Sequence, residues 1–166
     1  MKNLIVSVLL LLPLGLAAQE MKIAVVNTQE VFNLLPELSE VEKEMATYAK
    51  QYQDAMTTME EEYNRKYSDL TSKGDSLTEN IKMLRIQEIE GMRTRMENFV
   101  PMAREEIDKK QNELLAPLHE KMQKAIQEVG EENGYTYIMT PQVMIYMGSA
   151  AIDATDKVKA KLGLNK

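Results

Sequence analysis

From Leu38 onward, apolar or aromatic residues recur at Val41, Met45, Tyr48, Tyr52, Ala55 and Met59, in alternating steps of three and four. That spacing keeps one stripe on one face of an α-helix and is the seam pattern of a coiled coil. It then drifts through Tyr63, Tyr67 and Leu70, like a stutter that loosens a supercoil. Pro36 is tolerated in a first turn, and nothing breaks the pattern before Lys73, so a helix is predicted over residues 36–73. At ~1.5 Å rise per residue it would span roughly 57 Å, about twice the diameter of a small domain.

Ser72 to Ser76 is the one turn signal in the middle third of the chain, with Gly74 expected as a left-handed helix stop. Ser76 and Glu79 have capping-box spacing, which predicts a returning helix over residues 76–130. Its seam would take Leu77, Ile81 and Leu84, then Met92, Met96, Phe99, Ala103 and Ile107, and later Leu115, Leu118, Met122, Ile126 and Val129. Pro101 and Pro117 fall inside this run and predict kinks, and Gly134 is the expected stop. Residues 36–130 thus read as a helical hairpin arm with its tip near residues 72–76.

The flanks follow other periods. Met21 to Val26 is a β-branched run suited to a buried strand, and Asn27 with Glu30 predicts a capped short helix behind it. Two further strands are predicted over residues 135–139 and 143–147, and Asp153 to Asp156 opens a last helix with Val158 and Leu162 on its apolar face. Residues 19–35 and 131–166 then form a small α+β body, and at roughly 50 residues such a body gains from oligomerisation. Ahead of it, Lys2, an apolar run from Leu4 to Leu16 and the Ala17-Ala18-Gln19 stretch have the three parts of a secretory signal. Cleavage is expected near Ala18, leaving residues 1–18 as the signal and an exported, soluble chain. The predicted fold class is mostly α with a small β body.

Composition removes several chemistries. The chain has no Cys, no Trp and a single His, so thiol catalysis, iron–sulfur clusters, thiolate zinc sites and multi-histidine metal sites lack their parts. His119 reads as a helix-surface or seam residue, Glu60 to Glu62 as a solvated face, and Asp153 with Asp156 as helix-capping charge. There is no phosphate-binding glycine loop and no nucleophile elbow, so no catalytic residue, metal or cofactor is expected. The formal charge is −6, and between Glu37 and Glu128 lie 20 acidic and 14 basic residues. Capture of nucleic acid by charge is not expected.

The arms carry tyrosine and methionine instead. Tyr48 with Tyr52 and Tyr63 with Tyr67 are four apart, and Met56, Met59, Met92 and Met96 accompany them, with Phe99 nearby. Periodic apolar stripes usually zip helices together. A two-helix hairpin has no third layer, however, so part of this surface stays exposed or faces another copy. Flexible Met and amphipathic Tyr suit weak contact with many sequences.

Three segments resemble the Skp/OmpH family of periplasmic chaperones for outer-membrane proteins: Lys22 to Asn27 with Val31 and Phe32, the stretch from Leu114 to Leu118 through Ala125 and Ile126 to Tyr135, and Ala151 to Val158. The order strand, long hairpin, two strands and helix matches that family across the mature chain. The resemblance implies an ATP-independent homotrimer whose strands build a central body and whose arms enclose an unfolded outer-membrane protein. Ile23, Val25, Ile138, Val143 and Ile145 would then be body residues. Tyr48, Tyr52, Met56, Met59, Tyr63, Tyr67, Met92, Met96 and Phe99 are the client-binding candidates from the pattern above. Better-known members have cationic arms; these are net acidic, so binding of lipopolysaccharide is not expected. A structural coiled-coil protein of the envelope with one dedicated partner is the alternative.

Overall fold

The computed structural model describes residues 21–164. The predicted signal segment lies outside them. Strand β1 (Ile23–Val25) leads into helix α1 (Thr28–Asn33), which Asn27 caps: its side-chain oxygen accepts from the Glu30 N–H at 3.2 Å, and its amide nitrogen donates to the Glu30 carboxylate at 3.2 Å. The Asn27 backbone N–H is satisfied across the body, by the Thr155 hydroxyl at 3.0 Å. Two long helices follow, α2 (Glu37–Lys73) and α3 (Glu79–Asn133). Strand β2 (Tyr137–Met139), strand β3 (Ile152–Asp153) and helix α4 (Thr155–Lys161) complete the order.

The sheet is parallel, in the order β2-β1-β3, with Ala24 opposite both Ile138 and Ile152. A central parallel strand is covered on both faces, and Ala24, Val25 and Val26 are accordingly buried. The crossover from β1 to β2 is the entire helical hairpin. Val26, Val31, Val129 and Val158 form the fully buried centre, joined by Ala125 and Ala154. The last turns of α3 therefore belong to the body. At Gly130 a Cβ would stand 3.3 Å from the Ile138 side chain, so glycine lets α3 lie close against β2. Gly134, at φ 65°, then ends α3 in the left-handed conformation.

Ion pairs tie α4 down. Lys159 bridges to Glu30, and Lys161 reaches Glu132 at 2.6 Å and Glu128 at 3.0 Å. Lys157 donates to the Tyr135 hydroxyl at 2.8 Å. The Thr155 hydrogen bonds, side chain first and then backbone N–H, hold the Asp153 carboxyl below its usual range; the N-cap position of α4 is Ala154, which makes no side-chain cap, so Asp153 is not the helix cap expected of it.

Four expectations are corrected. No strand forms over residues 143–147: Pro141 starts a 3-10 turn (Pro141–Val143), and the residues after it lie away from the three-stranded sheet, with Ile145 fully in solvent. Gly74 is right-handed at φ −57°, opening a 3-10 turn (Gly74–Ser76), and the reversal is made by extended Leu77 and Thr78. Ser76 does not cap α3; its hydroxyl donates back to the Lys73 carbonyl at 2.7 Å, and α3 starts at Glu79. Ile81 and Leu84 are 45% and 65% exposed, off the seam, where Ile89 is buried instead, next to the expected Met92. Helix α3 also runs unbroken through Pro101 and Pro117. Each proline leaves one carbonyl a turn earlier without its helical donor, at Glu97 and Glu113, and both residues are exposed so that water can serve.

Candidate functional site

Contacts along the two long helices run in reverse order, so the arm is an antiparallel pair. Glu37 at the root pairs with Lys121, Glu44 with Lys110 at 2.7 Å, Tyr52 meets Phe99 with ring centroids 5.9 Å apart, and Lys66 meets Glu88 at 2.5 Å near the tip. Lys121 holds the Glu37 carboxyl below its usual range, Lys66 does the same for Glu88, and Glu44 raises the Lys110 ammonium. At the root the Phe32 ring of α1 stacks on His119 of α3, 4.6 Å between centroids and 17° between planes. That contact absorbs the lone histidine into packing.

Aromatic side chains bridge the middle of the arm. The Tyr48 and Tyr52 hydroxyls lie 3.3 Å apart. The hydrogen bond with Tyr48, then loss of water around the hydroxyl and the nearby negative charge of Glu106, push Tyr52 up to about 12. Further out, Tyr63 and Tyr67 stack with centroids 6.1 Å apart.

The hairpin is two-sided. On one side of the seam, Tyr52 and Met56 of α2 face Phe99, Val100 and Ile107 of α3 around an open groove of about 460 Å³. On the other, a hollow of about 460 Å³ is bounded by Glu40, Lys43, Glu44, Thr47, Tyr48 and Lys110. Nearer the tip, Met59, Met92 and Met96 line a third, mixed hollow with Glu62, Glu88 and Arg95.

Tyr48, Tyr52, Met56, Met59, Tyr63, Met96 and Phe99 are half-buried along the seam, and Tyr67 is exposed. Met92, at 4% exposure, is packed into the hairpin and shows only a sliver of surface at the floor of the hollow near the tip. Beyond the expected contact residues, Val100 and Ile86 are exposed, as are Met83 and Met102 of the arm methionines and Ile81 and Leu84, which were expected in the seam. The signal was density, because a seam needs only two or three apolar positions per heptad and residues 81–86 supply four.

In the body, Val25 is buried and Ile138 half-buried, while Ile23 is 40% exposed. Val143 and Ile145 were expected in a strand; instead Val143 closes the 3-10 turn and Ile145 stands fully in solvent beside Tyr146. Among the described residues no three His, Asp or Glu side chains group to hold a metal ion, and no helix is long and apolar enough to cross a membrane.

Comparison with solved structures finds an OmpH-like protein of Caulobacter crescentus, described as a candidate outer membrane chaperone. It aligns with a TM-score of 0.71 over 84% of this chain and 82% of that one, at 13% identity, a likeness of fold. No curated protein matches the sequence. The family model for OmpH-like outer membrane proteins matches residues 22–162, from the first strand to the last helix, and the chain therefore belongs to the OmpH-like family.

Proposed function

We propose that the mature chain is an ATP-independent periplasmic holdase that binds unfolded outer-membrane proteins between helical arms and keeps them from aggregating. The observation that carries this reading is the two-layered arm: a long hairpin with no third layer, whose apolar groove and aromatic seam stay open to solvent. Family membership and the chaperone description of the Caulobacter protein support it. Encapsulation by many weak contacts would shield client strand edges that otherwise pair with other chains.

On this reading residues 1–18 are the export signal, residues 36–130 the arm, and residues 19–35 with 131–166 the oligomerising body. Three copies assemble through the apolar surface of Ile23, Tyr137, Val143 and Ile145, which the single chain leaves exposed. Clients contact Tyr52, Met56, Met59, Tyr63, Tyr67, Met96 and Phe99, whereas Met92 serves packing. The reading needs no catalytic residue, nucleotide or metal, and the acidic arms do not favour lipopolysaccharide.

The test is light scattering after a urea-unfolded outer-membrane barrel protein is diluted into buffer without ATP, over a range of molar ratios. Suppression that saturates near three subunits per client is expected. Scattering that the chain leaves unchanged would overturn the holdase reading.

A further inference from the structure

Met59 of α2 lies midway between Tyr52 and Lys66, and Met92 and Met96 of α3 flank the midpoint between the partners of those two residues, Phe99 and Glu88. The antiparallel register therefore sets Met59 opposite the pair. Met92 and Met96 are one turn apart, on one face of α3. Helices in contact lie ~8–10 Å apart, a gap that unbranched methionine side chains bridge from both sides. All three line the hollow of about 420 Å³ near the tip, with Glu62, Glu88 and Arg95 around them. Met92 is buried, and Met59 and Met96 are half-buried.

We propose that Met59, Met92 and Met96 form a binding site for a soft monovalent metal ion, copper(I) or silver(I), held by three thioether sulfurs from the two helices. The inference goes beyond client holding and does not rest on it. An ion shared by α2 and α3 pins the outer part of the arm together.

Donor chemistry selects the ion. Thioethers are soft ligands that favour copper(I), whereas calcium, magnesium and manganese prefer oxygen, and zinc takes thiolate, imidazole or carboxylate. The chain has no Cys, so no thiolate within it competes for a soft ion, and its single histidine is stacked on Phe32 at the root. The carboxylates do not make this a hard-ion site. Lys66 meets Glu88 at 2.5 Å and Glu62 at 3.9 Å, and Arg95 stands beside them, so two negative charges face two positive ones. A monovalent ion adds the least charge to that balance. A filled d shell imposes no geometry, so three sulfurs from two helices meet its needs.

Methionine also fills gaps in cores. A gap-filling side chain closes the space it lines, however, and here three of them border one that stays open. The groove nearer the root contains a single methionine, Met56, among aromatic, aliphatic and polar residues.

The experiment titrates silver nitrate into the full mature chain by isothermal calorimetry, in chloride-free buffer without client; silver(I) needs no reductant to keep its oxidation state. One site per chain is expected, with Kd on the order of a micromolar or below. Met59→Leu and Met96→Leu nearly conserve volume and are each expected to weaken binding by about tenfold or more. Met102→Leu, at an exposed position outside the hollow, is expected to change it by less than about twofold. Zinc sulfate is expected not to bind. If a leucine variant fails to fold, carbon-13 labelled methionine methyl groups of the unaltered chain decide, and three of their signals are expected to move with silver. Equal weakening in Met102→Leu, movement spread over all the methyl signals, or no such silver site in the unaltered chain would overturn the proposal. Zinc binding as tight as silver binding would assign the hollow to its carboxylates and overturn it too. None of these outcomes bears on the holdase reading, which light scattering decides.

Discussion

Glu37 and Glu88 each close the hairpin by pairing with a lysine of the opposite helix, and both carboxyls titrate below their usual 4.5. The ionised form is thus favoured in the folded arm relative to the unfolded chain, where 4.5 applies. The resulting stabilisation is complete above pH 4.5 and is lost as pH falls through the lower folded values. Both pairs are solvent-exposed, so the effect is small and screened by salt. Thermal unfolding followed by helical circular dichroism should show the melting temperature falling in this acidic window, with a smaller fall for Glu88→Gln. An equal fall in both would assign the acid sensitivity to other carboxylates, Asp153 first among them. These partners were not legible in the sequence, since Lys66 and Glu88 are joined by register across the hairpin and by no local spacing. The Tyr48 and Tyr52 contact was legible, because residues four apart on one helix are neighbours whatever lies opposite.

Helix α2 and helix α3 differ in how firmly their sequences specify a rod. Helix α2 holds no proline or glycine between Glu37 and Lys73, whereas α3 carries Gly91, Pro101 and Pro117. Gly91 is exposed, and a Cβ there would meet nothing within 4 Å. Gly91→Ala should therefore stabilise the arm by about 0.5–1 kcal/mol through helix propensity alone, measured as a shift of the urea midpoint at constant slope. A destabilised variant would mean that the glycine conformation is used elsewhere in the assembly. The same contrast sets what could be read in advance. The strict steps of three and four predict α2 nearly to its ends. At the start of α3 four apolar residues crowd residues 81–86, so periodicity places Met92 in the seam but cannot say that Ile89, rather than Ile81 and Leu84, faces α2. Residues 143–147 look like a strand because β propensity is local, while strand formation needs the chain to run beside a sheet edge, and the 3-10 turn at Pro141–Val143 carries these residues into solvent instead.

Across the whole molecule, the predicted fold class is the one observed, mostly helical with a long hairpin and a small sheet, and the family model spans it from residue 22 to residue 162. The unread part is the outer surface of the body. Ile145 and Tyr146 are 106% and 84% exposed, a placement that follows from chain reversal at Pro141 and has no signature in hydrophobicity. One feature of the sheet reaches furthest. Its central strand comes from the start of the chain and both neighbours from the end, so the body is a knot of termini that only a complete chain can tie. For a flexible linker, joining such distant ends carries a loop-closure entropy that grows with its length and delays folding. Local zippering of α2 against α3 shortens that linker, bringing Glu37 beside Lys121 and leaving only short connections to close. The arm is thus the first assistant to its own polypeptide, folding ahead of the body and delivering its strands to each other. Pulse-labelled hydrogen exchange during refolding should find amides of the mid-arm, around Tyr52 and Phe99, protected before those of Ala24 and Val25; the reverse order would show that the ends meet unaided.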